Sequence, residues 1–235
     1  MGLSSLIKLV RAIAVLALFF AWQACGNPPL ASILADKEYG ISATVVILPP
    51  EENRGFSILD VPQKRDGDNI RVHWQTNFAL MCNGGFFDTT NFNPAAFCRL
   101  KGKTIHGTVS PRWSGFVAIN PDGKLHLLWR GADLAPYPWV LQAGPYVIDP
   151  GGRIGIKSRA DEKARRTLVG LTDTREVVFM ITQPVHLYDL ARAVKKHLPR
   201  IERLLNLDGG PSTGFKTETA EILNEWPVRN YLVKQ

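Results

Sequence analysis

Apolar residues along this chain come in short runs separated by clusters of Gly, Pro, Asn and Asp, a spacing that predicts strands joined by tight turns. Gly40 to Leu48 (GISATVVIL) reads as a strand, Pro49 to Arg54 as a turn, and Phe56 to Val61 as a second strand. Three pairs of runs then flank turn residues. They are Gly115 to Asn120 with Leu125 to Trp129 around Pro121-Asp122-Gly123, Tyr146 to Ile148 with Ile154 to Ile156 around Asp149-Pro150-Gly151-Gly152, and Thr167 to Leu171 with Glu176 to Thr182 around Asp173-Thr174. Each reads as a hairpin, because Asp and Pro initiate turns and Gly accepts positive φ. The period changes once. Leu187, Leu190, Ala191, Val194 and Leu198 recur at three- and four-residue spacing, predicting a helix over 187–198 that Pro199 stops.

These elements predict an α+β fold: one domain with a mixed, largely antiparallel sheet, several hairpins and one main helix packed on it. A chain of 235 residues, 45% hydrophobic and 21% charged, suffices for one substantial core and is short for two. Two further apolar runs matter for chemistry. Phe78 to Met81 leads into NGGFFD (Asn83 to Asp88), and Leu204 to Leu207 runs into the start of NLDGGPSTGF (Asn206 to Phe215) and delivers Asp208. Paired glycines after a strand let the backbone turn with positive φ and approach a ligand, while Asn, Asp, Ser and Thr supply donors and acceptors. The strand-helix-strand order around 187–198 also places Asp208 at the carboxyl end of a strand, where open α/β sheets bind ligands.

The first residues follow a secretory pattern, with Lys8 and Arg11 ahead of an apolar stretch from Ala12 to Ala21 that is too short to span a bilayer as a mature helix. The expected organisation is a signal peptide over 1–26, a linker over 27–39 and the domain over 40–235, with the product exported to the periplasm or outer envelope. Ala24-Cys25-Gly26 fits either cleavage ahead of Asn27 or lipidation of Cys25, which would anchor the protein to a membrane; both stay open. Either outcome leaves Cys82 and Cys98 as a pair that an oxidising compartment would bridge, bracing the NGGFF loop from behind. The net charge is +7, and two of those positive charges, Lys8 and Arg11, fall in the signal peptide. The densest basic run, KSRADEKARR (Lys157 to Arg166), includes acids and has no interleaved aromatics, so it reads as a solvated loop rather than a nucleic-acid surface.

Three familiar chemistries fail. Gly209 to Thr217 (GGPSTGFKT) lacks the adjacent Gly-Lys of a phosphate-binding P-loop, since Phe215 intervenes. Gly210-Pro211-Ser212-Thr213-Gly214 spells a nucleophile elbow, but that fold places its histidine after the serine, and His73, His106, His126, His186 and His197 all precede Ser212. Neither these histidines nor the three cysteines show the spacing of a zinc site. No metal or other cofactor is expected. His186, beside the helix start, is the histidine to examine. What remains is a site of Asp, Asn, Arg, Ser and Thr, which suits a glycosidic bond to a phosphate. A carboxylate stabilises the oxocarbenium-like centre, and a phosphate leaving group needs cations more than an acid.

The order of NGGFFD, Pro94 with the Lys101-Gly102 turn, LQAGPYVID (Leu141 to Asp149), RRTLVGL (Arg165 to Leu171), HLYDLARAV (His186 to Val194) and NLDGGPSTGF resembles the phosphodiester glycosidase family over Thr76 to Phe215. That family has lysosomal and exported bacterial members. Asn83, Gly85, Phe86, Gln142, Gly144, Arg166, Thr167, Gly170, Asp208, Gly209, Ser212 and Thr213 match its motif positions. Pro211 and Ala143 depart from it, standing where relatives carry small residues or glycine. The resemblance implies an exported hydrolase that cleaves a sugar 1-phosphodiester to free sugar and a phosphomonoester. Asp208 is then expected at the sugar C1 and Arg166 on the departing phosphate, with Asn83, Gly85, Phe86, Gln142, Gly144, Thr167, Gly209, Ser212 and Thr213 binding substrate. The alternative is an envelope protein that binds phosphorylated glycans without turnover.

Overall fold

The computed structural model describes residues 31–235; the expected signal peptide, including Lys8, Arg11 and Cys25, lies outside the described residues. In chain order the elements are β1 (Ala31–Asp36), β2 (Ile41–Leu48), β3 (Phe56–Asp60), α1 (Ile70–His73), β4 (Leu80–Asn83), β5 (Cys98–Leu100), β6 (Lys103–His106), β7 (Gly115–Ile119), β8 (Leu125–Trp129) and β9 (Trp139–Ala143). There follow β10 (Tyr146–Asp149), β11 (Arg153–Ile154), β12 (Thr167–Thr172), β13 (Val177–Thr182), α2 (Leu187–His197), β14 (Ile201–Asn206), β15 (Phe215–Thr217), β16 (Glu221–Ile222) and β17 (Asn230–Lys234).

The expected α+β class with a mixed sheet is corrected by this architecture. Among the described residues there are three sheets, every strand pair within them is antiparallel, and α2 is the one helix longer than a single turn. The reason lies in segment length. Nearly every apolar run is too short for a helix and is bounded by turn residues, and only 187–198 sustains a helical period. The largest sheet has the order β1-β2-β13-β12-β14-β10-β11, the second β16-β15-β4-β17-β3 and the third β6-β5-β9-β7-β8. The predicted hairpins β7-β8, β10-β11 and β12-β13 all form. Within the stretch read as a linker, Ala31–Asp36 pairs with Ile41–Val46 along its whole length.

One core is shared by all three sheets. Val46, Phe179 and Leu205 of the first, Leu80, Phe215 and Leu232 of the second, and Val117, Leu127 and Leu141 of the third pack together. Leu187, Leu190, Ala191 and Val194 of α2 cover the outer face of the largest sheet. Cys82 and Cys98 sit in the shared core as free thiols, which corrects the expected disulfide. Burial raises both thiol pKa values, that of Cys98 to about 12, so each behaves as a small apolar side chain. The closed arrangement brings the carboxyl ends of β4 and β14, the start of β12 and the β9-β10 connection to one place. The candidate site is built there.

Candidate active site

Asn83 ends β4 fully buried, and its amide joins three segments. Its Nδ2 donates to the Asp208 carbonyl at 2.7 Å, while its Oδ1 accepts from the Thr167 hydroxyl at 2.6 Å and the Gly214 N–H at 3.1 Å. The Asp208 N–H donates to Gly84 O at 3.2 Å. The NGGFF and NLDGG loops, far apart in sequence, are therefore stapled together, and every polar atom of the Asn83 side chain is spent on the staple. Of the two glycines that follow, Gly84 is the demanding one: a Cβ there would lie 2.0 Å from Asn230 Oδ1, which accepts from Gly85 N–H at 2.9 Å. Gly85 would meet only ordinary contacts.

Asp208 follows β14 directly. Gly209 N–H donates to its Oδ1 at 2.9 Å. Burial pushes its pKa up to about 6, opposed first by the Ser212 hydroxyl and then by the Gly209 N–H. The chain leaves Asp208 through a single 3₁₀ turn, Gly210–Ser212, with Pro211 at its start. Of the four glycines paired in the NGGFF and NLDGG loops, Gly210 alone has positive φ, at 58°, which this turn requires. Gly209 passes against the segment that leads into β12, where a Cβ would lie 2.6 Å from Arg165 O. Ser212 and Thr213 are buried beneath the turn, and Thr213 Oγ1 has no partner among the described residues.

The two arginines divide by strand parity. Leading into β12, successive side chains point to opposite faces. Thr167 reaches Asn83, whereas Arg166 points to the helix side, donating to Asp161 Oδ2 at 2.6 Å and to the Glu162 carbonyl. Asp161 Oδ2 also accepts the Leu187 N–H that starts α2, and its carbonyl meets His186 Nδ1 at 2.9 Å. Arg166 and His186 thus organise the start of α2, and the structure does not bring Arg166 to Asp208. The guanidinium at the site is Arg165, which donates to the Gly210 carbonyl at 3.3 Å and to Glu225 Oε1 at 2.8 Å. Sequence offers no signal to separate adjacent arginines until the register of β12 is known.

Gln142, buried on β9, is occupied as fully as Asn83. Its Nε2 donates to Ser110 O at 2.7 Å and Trp113 O at 3.1 Å, and its Oε1 accepts from Ser110 N–H at 2.7 Å and Phe97 N–H at 3.4 Å. It holds the 110–113 loop in place rather than lining an open pocket. Gly144, in the β9-β10 connection, leaves room for the same loop, since a Cβ there would lie 2.7 Å from Ser114 N. Phe86 stacks on Trp113 with ring centroids 4.8 Å apart and planes within 7°. Trp113 was not among the residues singled out from the sequence, because it belongs to no recognisable motif. Gly170 packs β12 on β14, away from Asp208. Among the described residues, no group of three or more His, Cys, Asp or Glu side chains is arranged to hold a metal ion.

The sequence model described as phosphodiester glycosidase matches residues 76–233. No curated protein matches the chain. Among solved structures, the catalytic domain of zebrafish N-acetylglucosamine-1-phosphodiester alpha-N-acetylglucosaminidase, auto-inhibited by its pro-peptide, superposes with a TM-score of 0.66 at 16% identity, covering 88% of this chain and 81% of that one. A hypothetical protein from Synechocystis gives 0.62 at 13% identity, over 87% of this chain and 61% of its own. A protein from Burkholderia pseudomallei K96243 gives 0.60 at 11% identity, over 83% and 74%. At these identities the structures establish the shared fold.

Proposed function

The chain belongs to the phosphodiester glycosidase family, and on that premise we propose that it is an exported hydrolase cleaving the glycosidic bond of a sugar 1-phosphodiester. The observation that carries this reading is Asp208, a half-buried carboxylate where the two glycine loops meet, its Oδ1 held by the Gly209 N–H and its pKa pushed up to about 6. Near pH 7 most of it is ionised while it remains basic enough to accept a proton. In the proposed reaction Asp208 faces the sugar C1. It stabilises the positive charge that develops there and takes the proton of the attacking water. The C1–O bond breaks, its electron pair stays on the phosphate oxygen, and free sugar and a phosphomonoester result. A phosphate ester leaves without strong acid assistance, so one carboxylate suffices for this bond.

Arg165 takes the phosphate role expected of Arg166. Its guanidinium already lies over the turn that follows Asp208, and the Glu225 carboxylate it now holds is the kind of anion that a phosphate replaces in bidentate geometry. Asn83 and Gln142 act as positioning residues. Incubating the purified protein with a panel of sugar 1-phosphodiesters tests the reading. Free sugar is expected from the wild type, and about a thousandfold less from Asp208→Asn. Binding of the diesters by wild-type protein with no release of sugar would overturn it in favour of a glycan-binding envelope protein.

A further inference from the structure

Phe86 and Trp113 are the feature of this region that the chemistry above leaves unused. They come from different sheets: Phe86 follows β4, and Trp113 precedes β7. Both rings keep partial exposure although they stack face to face, and the scaffold behind them is elaborate. A buried Gln142 commits both ends of its amide to the loop carrying Trp113, and Gly144 leaves space for the backbone of Trp113 and Ser114, its virtual Cβ lying 3.2 Å from Trp113 Cα. Asn206 Nδ2 in turn donates to the Gly144 carbonyl at 3.3 Å, two residues before Asp208. On the other side, Phe86 lies two residues beyond Gly84, whose carbonyl receives the Asp208 N–H. The Phe86 stem is therefore hydrogen-bonded to the segment that carries Asp208, and the Trp113 loop is tied to it indirectly, through Gln142 and the β9-β10 connection that accepts from Asn206. Arg165 and Glu225 flank that segment separately, against Gly210.

We propose that the Phe86–Trp113 pair is the sugar subsite, Trp113 being its specificity-determining residue, with the pyranose ring against the aromatics and the phosphate toward Arg165. This rests on the proposed hydrolase function and fixes the direction in which the substrate lies across Asp208. A pyranose presents an apolar face of C–H groups, which suits a rigid aromatic surface, and its hydroxyls keep their water at the rim. Two stacked rings lose little conformational freedom on binding. Polar side chains pointing at the same place would satisfy a phosphate equally well, whereas an aromatic face discriminates for the sugar.

The test uses binding and turnover side by side. The indole N–H resonance of Trp113, assigned by its loss in Trp113→Phe, is followed while glucose, mannose and N-acetylglucosamine 1-phosphates are titrated into the full protein, with inorganic phosphate as a control. A saturable shift with at least one hexose 1-phosphate, and none with phosphate, is the expected result. In Trp113→Ala the apparent Kd and the KM rise about tenfold with kcat near wild type, and Trp113→Phe recovers most of the loss. An indole resonance that stays still for every hexose 1-phosphate overturns the proposal. So do unchanged Kd and KM in a folded Trp113→Ala. Should Trp113→Ala not fold, the titration of the wild type decides alone. Should the wild type hydrolyse no diester, the hydrolase reading falls while the titration still decides the subsite.

Discussion

At the scale of single residues, the folded chain binds a proton at Asp208 more tightly than the unfolded chain does, because burial lifts its pKa from 3.8 to about 6. The stability this group contributes is complete below about pH 4 and is lost as pH rises through about 6. A shift of roughly two units at about 1.4 kcal/mol each puts the loss at about 3 kcal/mol by pH 7. Asp208→Asn is therefore expected to be more stable than wild type at pH 7, by up to about 3 kcal/mol, with the difference closing toward pH 4. Urea denaturation at the two pH values measures it. A variant less stable than wild type at pH 7 would mean that the carboxylate is not desolvated. That Asp208 and Asn83 meet at one place was legible in the sequence, because each lies between an apolar run and a glycine pair; that the Asn83 amide is spent on joining the loops was not. Arg165 was not, since a pair of adjacent arginines reveals nothing about which one the strand turns inward. Likewise NGG does not show that Gly84, rather than Gly85, has the buried Asn230 amide against it.

At the scale of elements, the hairpins were readable because their turns carry Asp, Pro and Gly, whose backbone preferences act locally. β9 and β15 gave no such signal: their runs are short, their partners β4, β5 and β7 lie elsewhere in the chain, and pairing decides their conformation. The staple at Asn83 is what holds β4, β12 and the Asp208 turn together at one point. Asn83→Ala would leave the Asp208 carbonyl, the Thr167 hydroxyl and the Gly214 N–H without their partner in a buried place. Each orphaned group costs on the order of 1–3 kcal/mol, less where water enters, so a loss of about 3 kcal/mol or more is expected from Asn83→Ala. Thr167→Val, which removes one of the three bonds, should cost about a third as much. Thermal unfolding of the two variants checks the ratio. Equal small losses would show that the segments are held by packing and that the amide is incidental.

At the scale of the whole molecule, the fold closes through its last strand. β17 lies between β4 and β3 in the second sheet, all five of its residues are buried, and Tyr231, Leu232 and Val233 are packed on both faces of that sheet. From sequence this segment read only as the tail of the domain, because a short continuous apolar run has neither the alternation of a half-buried strand nor a helical period. Its position makes β17 an interior part of the sheet. Asn230 supplies the carbonyl that receives Gly84 N–H and the amide oxygen that receives Gly85 N–H, so the strand also supports the loop beneath Asp208. Burying three large apolar side chains is worth about 2 kcal/mol each, and the ladder to β3 and β4 adds to that, against a total stability of about 5–15 kcal/mol for a domain of this kind. Ending the chain before Asn230 should therefore abolish cooperative folding rather than trim an edge, whereas removing Gln235 alone, which donates one backbone bond to Gly55, should leave a sharp transition. Methyl dispersion in a one-dimensional proton spectrum and a melting curve distinguish the two outcomes. A chain lacking 230–235 that still shows dispersed methyls and melts cooperatively would demonstrate that the first and third sheets form the core without the second, and that the site is assembled onto a pre-existing body.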